Sequence, residues 1–259
     1  MRRSDTINFT DEGDTDRPVV VLSNSLGTTV SMWDRQMPAL LRHFRVVRYE
    51  HRGHGGSSAR SGGYDMADLG GEVIRLMDAL SVERAHLCGL SLGGMVAMWL
   101  AAEARERVDR LVAISSSARL DRSAFWTERA ATVRRHGMSA VAQTVVARWF
   151  TPQFAAANED VVGWGRDMLL STDPRSYARY AEVLAQLDLA SNLGQIEAPT
   201  LVVAGERDDA IPPVHGKHIA AAIGGASLEL YDAAHLVNVE QPSPVSEVIV
   251  RHLTGKHRA

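Results

Sequence analysis

The sequence predicts an α/β protein with a mostly parallel, doubly wound sheet and an all-helical insertion. Short apolar runs alternate with longer segments of helical periodicity along most of the 259 residues. Several of the short runs are apolar throughout, as expected for strands of a parallel sheet that helices cover on both faces. The exception is the interval from about Leu120 to Leu193, which has no strong strand signal and predicts one helix after another.

Six segments have the length and composition of buried strands. They are residues 18–22, 45–49, 85–88, 110–114, 200–204 and 227–231. Helical patterns lie between them at residues 67–80, 93–104, 213–222 and 244–253. This alternation favours an open sheet whose strands are joined by helical crossovers.

The helical interval is expected to form a lid over the carboxyl edge of the sheet. We assign residues 1–118 and 198–259 to the α/β core, and we call residues 119–197 the lid segment. Helix breaks divide the lid segment into four or five helices, at Gly137, Thr151-Pro152, Gly163 and Asp173-Pro174.

Composition and charge narrow the class of partner. Hydrophobic residues make up 45% and charged residues 23%, enough for a soluble protein with a sizeable core. The net charge of −3 provides no basic field for nucleic acid or for an anionic membrane, so a small-molecule partner is expected. The segment after Arg2 and Arg3 lacks the apolar stretch of a secretory signal, and no apolar run is long enough to span a membrane. These observations predict a cytoplasmic protein.

The stretch LCGLSLGG, residues 87–94, contains the first candidate catalytic residue, Ser91. The pattern G-x-S-x-G is unspecific alone, but here a predicted strand precedes it and a predicted helix follows it. Such a sharp turn exposes a serine hydroxyl and directs the N–H of the next residue, Leu92, to the same space. We therefore predict Ser91 as a nucleophile; the alternative is a serine that only caps a helix. Cys88, the single cysteine, is predicted to be a buried structural thiol.

A serine nucleophile needs a base, which must be chosen among ten histidines. When serine, acid and histidine come in this chain order, the histidine follows the last strand, which indicates His235. His215 and His218 lie in the preceding helix pattern, and His252 and His257 lie in or beyond the last helix. These four are expected to face solvent.

The acid is expected in the loop after the strand at residues 200–204. Two adjacent aspartates compete there, Asp208 and Asp209. The spacing G-x-x-D from Gly205 favours Asp208, while Asp209 stays open as the alternative.

Several longer stretches carry a family resemblance. They are LSNSLGTT (22–29), RYEHRGHGGSS (48–58), CGLSLGGMVAMWLA (88–101), RWFTP (148–152), AGERDDAIPP (204–213) and AAHLVNVEQP (233–242). Together they resemble the α/β-hydrolase superfamily and, within it, the 3-oxoadipate enol-lactonases. The sequence departs from these lactonases at Leu92, Asp209 and Glu50, where Met, Pro and Asp are frequent, and at Asn24, where many such hydrolases have His.

The resemblance implies an acyl transfer from a carboxylate-bearing enol-lactone through a Ser91 acyl-enzyme. The oxyanion would be held by the backbone N–H groups of Leu26 and Leu92. The substrate's carboxylate implies a cation in the lid segment, and aromatic side chains would surround the ring. We expect these substrate-binding residues to be Trp126, Arg129, Arg134 and Trp149, with Arg135 and Arg148 as other arginines nearby.

Other functions remain open at this point. A carboxylesterase, another lactonase or a hydrolase of C–C bonds would use the same residues, and a receptor without catalysis would use the same fold. No metal or cofactor is expected, because the histidines lack ligand spacing and no GxGxxG joins a strand to a helix. The oligomeric state cannot be derived from the sequence.

Overall fold

The computed structural model describes residues 7–255. Its core is a seven-stranded sheet in the order β1-β3-β2-β4-β5-β6-β7. The strands are β1 (Phe9–Glu12), β2 (Val19–Ser23), β3 (Arg45–Tyr49), β4 (Ala85–Leu90), β5 (Val108–Ile114), β6 (Thr200–Gly205) and β7 (Ser227–Tyr231). All neighbouring pairs are parallel except β1 and β3, which confirms the mostly parallel α/β sheet.

β1 is the strand that the sequence analysis missed. It is a short strand at the edge of the sheet, and its residues alternate between exposed and half-buried positions. Sequence patterns detect fully apolar central strands more easily, since a four-residue polar segment resembles a loop. The antiparallel edge adds no apolar surface to the centre of the core.

Helices pack on the sheet in two groups. The core helices are α1 (Met37–Leu40), α2 (Met66–Ala79), α3 (Leu92–Glu103), α9 (Pro213–Ala222), α10 (Val237–Glu240) and α11 (Pro242–Leu253). α2 packs on α3, while α1 packs on α11, and both α3 and α11 contact β5. α3 is buried over nearly all its residues, because its Ala- and Gly-rich surface lies against the central strands.

The lid segment contains five helices between β5 and β6. They are α4 (Ser123–His136), α5 (Ser139–Val146), α6 (Pro152–Ala157), α7 (Glu159–Leu170) and α8 (Pro174–Ala185). Gly163 was expected to break a helix but lies inside α7; the break falls at Asn158 instead. A single exposed glycine costs a helix only about 1 kcal/mol, less than the packing of α7 provides. Whether this segment is a separate lid domain stays a prediction.

The single cysteine has the buried position that its sequence predicts. Cys88 is buried within β4, and burial raises the pKa of its thiol, which makes a nucleophilic thiolate unfavourable. Among the helices of residues 7–255, none has both the length and the apolar composition needed to cross a membrane.

Candidate active site

Ser91 lies at the junction of β4 and α3, in a backbone conformation that non-glycine residues rarely adopt. Its φ is 56° and its ψ is −116°. Its N–H donates to the carbonyl of Ile114 at 2.8 Å, and its carbonyl accepts from the Ser116 hydroxyl at 2.9 Å. These bonds to β5 and the residues after it hold the strained turn in place.

The glycines around Ser91 are required by close packing. A Cβ on Gly89 would lie 2.1 Å from the carbonyl oxygen of Gly93. A Cβ on Gly93 would lie 2.1 Å from the carbonyl oxygen of Ser23 in β2. The backbone of the turn therefore approaches both its own helix and the neighbouring strand too closely for any side chain at these two positions.

Asp208 and His235 form a buried pair. Nδ1 of His235 lies 2.8 Å from Oδ2 of Asp208, and the other Asp208 oxygen accepts the N–H groups of Ala210 and Ile211 at 2.8 and 2.9 Å. The carboxylate thus orients the imidazole with its proton on Nδ1 and leaves Nε2 free to accept one. Asp209 is exposed, so the structure brings Asp208 rather than Asp209 to the histidine.

Ser91 and His235 line one cavity at the carboxyl edge of the sheet. Within the described chain, no hydrogen bond joins the Ser91 hydroxyl to the imidazole. Catalytic hydrogen bonds often tighten only when substrate is bound, so this geometry is compatible with the predicted nucleophile and base.

Of the other histidines, His215 and His252 are less exposed than expected. His218 is exposed, but His215 is half-buried and its Nδ1 lies 2.8 Å from the Ser117 hydroxyl. His252 is also half-buried, and burial lowers its pKa to about 4 although the Pro199 carbonyl accepts a hydrogen bond from its ring. Helical position alone did not reveal these tertiary contacts. His257 lies outside the described residues.

The loop after β2 contains Leu26, the predicted second donor to an oxyanion. Leu26 lines the cavity with Ser91, and its N–H has no hydrogen-bond partner among residues 7–255. Leu92 is the first residue of α3, so its N–H has no partner inside the helix either. Asn24 stabilises this loop, because its side chain accepts from the Trp33 indole at 2.9 Å and donates to the Tyr49 carbonyl at 3.0 Å.

His54 also holds this loop, through a contact that the sequence did not predict. The N–H of Gly27 donates to His54 Nε2 at 3.0 Å, and His54 Nδ1 lies 3.2 Å from the Arg52 carbonyl. Burial, aided by the nearby His51, lowers the pKa of His54 to about 3. The ring is therefore neutral at ordinary pH, with its proton on Nδ1 and an acceptor at Nε2.

The lid segment supplies one wall of the cavity. Its lining side chains are Leu120, Arg122, Phe125, Trp126, Arg129, Val145, Arg148, Trp149, Tyr177 and Leu184. The guanidinium carbons of Arg122, Arg129 and Arg148 lie 4.8, 4.8 and 5.6 Å from the centre of the Phe125 ring.

These three arginines have no carboxylate partner among the described residues, and no described acidic side chain lines the cavity. Arg129 contacts the Tyr177 hydroxyl at 3.5 Å. The wall thus offers positive charge next to aromatic surface, an arrangement suited to an organic anion.

Of the predicted substrate-binding residues, the structure brings Trp126, Arg129 and Trp149 to the cavity but not Arg134. Arg134 forms a bidentate ion pair with Glu182 on the outer surface. Arg122 and Phe125 were missed. The spacing of four residues between Phe125 and Arg129 could have indicated Phe125, because residues so spaced share a helix face. Arg122 precedes the first residue of α4, so helical spacing could not have indicated it.

No group of three or more potential metal ligands occurs in the part of the chain that the structure describes.

Comparison with known proteins supplies the family. A family model described as the alpha/beta hydrolase fold matches residues 18–242. The chain is 35% identical to 3-oxoadipate enol-lactonase 2 of Acinetobacter baylyi, over 94% of this chain and 91% of that relative. It is also 28% identical to RutD of Stutzerimonas stutzeri, whose name proposes a carbamate hydrolase, over 92% of each chain.

The chain is also similar to a solved enol-lactonase structure. The crystal structure of the enol-lactonase from Burkholderia xenovorans has a TM-score of 0.94 to this chain. The two are 39% identical, and the match covers 96% of each chain.

Proposed function

We propose a reaction for this protein from one premise: the chain belongs to the α/β-hydrolase family and is an ester-bond hydrolase. The reaction is the opening of an enol-lactone that bears a carboxylate, as in the conversion of 3-oxoadipate enol-lactone to 3-oxoadipate. The observation that carries the proposal is that one cavity contains Ser91, His235 and three arginines that have no carboxylate partner within residues 7–255. The enol-lactonases among its relatives support the same substrate class.

The first half-reaction forms an acyl-enzyme. The hydroxyl oxygen of Ser91 attacks the lactone carbonyl while Nε2 of His235 takes the hydroxyl proton. Asp208 stabilises the imidazolium that forms. The Leu26 and Leu92 N–H groups donate to the tetrahedral oxyanion; loss of one such donor typically costs about 3 kcal/mol of transition-state stabilisation.

The ring oxygen then leaves as an enolate, which remains attached to the acyl chain because the ester is cyclic. Proton transfer from His235 gives the enol, and tautomerisation to the ketone makes ring opening effectively irreversible. In the second half-reaction, His235 activates water, which hydrolyses the acyl-enzyme and regenerates Ser91.

The substrate's own carboxylate is assigned to the arginine wall, which is the wall of the cavity formed by Arg122, Arg129 and Arg148 of the lid segment. Arg129 and Arg148 are half-buried beside Phe125 and Trp149, where an anion is better shielded from water than at the outer surface. Charge-assisted hydrogen bonds from a guanidinium are among the strongest that a binding site can offer. The lactone ring would lie between this wall and Ser91.

Turnover of candidate substrates by purified enzyme tests the proposal. The enol-lactone is expected to have a much higher kcat/KM than 4-nitrophenyl acetate, a homoserine lactone or a carbamate. Ser91→Ala and His235→Ala should abolish turnover and labelling by a fluorophosphonate probe. A higher kcat/KM for simple esters would indicate a carboxylesterase, and ammonia release from the carbamate would indicate the RutD reaction. A wild-type protein that resists the probe would indicate a receptor.

A further inference from the structure

We propose that Glu240 is a positioning residue that sets the lid segment's substrate-binding side chains at a fixed distance from the base His235. This inference rests on the proposed function, because it concerns how substrate bound by the lid segment is presented to the catalytic pair. Glu240 lies at the end of α10, five residues beyond His235, and is half-buried.

The Glu240 carboxylate connects two segments that are distant in sequence. Its Oε1 accepts the N–H of Thr151 at 3.0 Å and the N–H of Ala234 at 2.9 Å. Its Oε2 accepts the Thr151 hydroxyl at 2.8 Å. One side chain therefore holds both the start of α6 in the lid segment and the residue that precedes the base.

A backbone hydrogen bond completes this connection on the other side of the histidine. The N–H of Leu236 donates to the carbonyl of Trp149 at 2.9 Å. Both neighbours of His235 are thus fixed to residues 149–151. The preceding side chain, Arg148, lines the cavity together with Trp149.

The connection joins two motifs of this sequence. RWFTP, residues 148–152, carries an arginine and a tryptophan of the substrate wall, and AAHLVNVEQP, residues 233–242, carries the base. In the fold, Thr151 of the first motif donates hydrogen bonds to Glu240 of the second. A carboxylate suits this junction because an ionised carboxylate only accepts hydrogen bonds and can serve several donors together.

Loss of this connection should slow the hydrolysis of some substrates much more than that of others. If the two segments move apart, an uncharged ester too small to contact the arginines loses little. A substrate whose carboxylate binds the lid segment is then displaced from His235 and Ser91, and a misplacement of about 1 Å can reduce the rate on the order of a hundredfold. If the role of Glu240 were purely structural, its replacement would reduce the hydrolysis rates of both substrates equally.

The test compares 4-nitrophenyl acetate with mono-4-nitrophenyl succinate, whose acyl group bears a carboxylate. Glu240→Ala is expected to reduce kcat/KM for the succinate ester about tenfold more than for the acetate. Glu240→Gln should stay within about threefold of wild type for both, because its amide oxygen still accepts the two N–H groups. Glu247→Ala, which removes an exposed glutamate of α11, is the matched control and should change neither value.

Thr151 provides an independent variant should Glu240→Ala fold poorly. Thr151→Val removes the hydroxyl that Glu240 accepts, and it should lower the preference for the succinate ester, whereas Thr151→Ser should restore it. The double variant Glu240→Ala/Thr151→Val should lose little more than Glu240→Ala alone, because both changes break the same connection. Equal losses for the two esters, or fully additive losses, would overturn the proposal.

Hydrogen exchange separates this inference from the proposed reaction. In Glu240→Ala, amides of residues 149–157 and of residues 233–236 should exchange faster together, while those of α3 should not change. If the wild-type enzyme does not hydrolyse the enol-lactone, the reaction proposal fails and the two esters still decide the role of Glu240. If the wild type does not accept the succinate ester, unchanged exchange in either segment overturns the connection.

Discussion

Oδ2 of Asp208 accepts a hydrogen bond from Nδ1 of His235 at 2.8 Å, and the two side chains are 0% and 4% exposed. Water cannot compete for either partner, so the imidazole is held in one tautomer and one orientation. The adjacent Asp209 is exposed. Substitution of Asp208 can therefore be compared with the same substitution of Asp209 as its control.

Asp208→Asn is expected to reduce kcat by about 10³-fold or more, because an amide can stabilise the wrong tautomer of His235 and cannot balance the imidazolium. Asp209→Asn should stay within about twofold of wild type. Steady-state kinetics on any accepted ester measures both. Similar losses in the two variants would contradict the assignment of Asp208.

The arginine wall should lower KM for substrates that bear a carboxylate. Arg129→Ala and Arg148→Ala should each raise KM for a carboxylate-bearing substrate by about tenfold, since a hydrogen bond to a charged group contributes about 1.5–3 kcal/mol. KM for 4-nitrophenyl acetate should change little. Arg134→Ala is the control, because Arg134 is paired with Glu182 outside the cavity. An effect of Arg134→Ala as large as that of Arg129→Ala would contradict the model of the site.

Two helix glycines should respond in opposite directions to substitution by alanine. Gly163 in α7 is exposed, and a Cβ there would meet no atom within 4 Å. Gly163→Ala should therefore raise the free energy of unfolding by about 0.5–1 kcal/mol, because alanine restricts the unfolded chain.

Gly93→Ala in α3 should lower it by about 3 kcal/mol or more, because the new Cβ would overlap the backbone of β2. Urea unfolding of both variants measures these changes. A tolerated Gly93→Ala would mean that the turn and β2 are less closely packed than the structure shows.

Acid should destabilise the fold through His51 and His54, two buried histidines that contact the loop after β2. Burial lowers the pKa of His51 to about 4 and, with the neighbouring His51, that of His54 to about 3. The unfolded chain binds these protons near pH 6.5 whereas the folded protein does not, so stability falls as pH drops below about 6.5. Each histidine contributes a loss of about 2 kcal/mol at pH 5.

Urea unfolding at pH 7.5 and pH 5 measures this loss. His54→Gln removes one titrating group and keeps an acceptor for the Gly27 N–H, so its loss between the two pH values should be smaller by about 2 kcal/mol. An unchanged pH dependence in His54→Gln would show that His54 is not held neutral.

Sequence patterns predicted most of the sheet because β2 to β6 are largely buried and mainly apolar, and β7 was predicted although none of its residues is fully buried. β3, β7 and α9 have the predicted bounds, and the bounds of β2, β4, β5 and β6 differ from the predicted ones by one or two residues. β1 was missed because half of its positions face solvent. Gly163 was misinterpreted because the conformational cost of one glycine is smaller than the tertiary packing of α7.

The sequence by itself determined which residues are the candidates for the reacting groups, because a strand-turn-helix, an acid loop and a final histidine are local patterns in a fixed order. Ser91, Asp208 and His235 were all named from such patterns. The tertiary structure decided which cations face the cavity, because only the packing of α4 shows that Arg129 lies on the face toward the cavity and that Arg134 lies on the face toward Glu182. It also decided the contacts of His54 with Gly27 and of Glu240 with Thr151, which join residues 27 and 89 positions apart. No periodicity records such pairs, because their partners meet only when the chain folds.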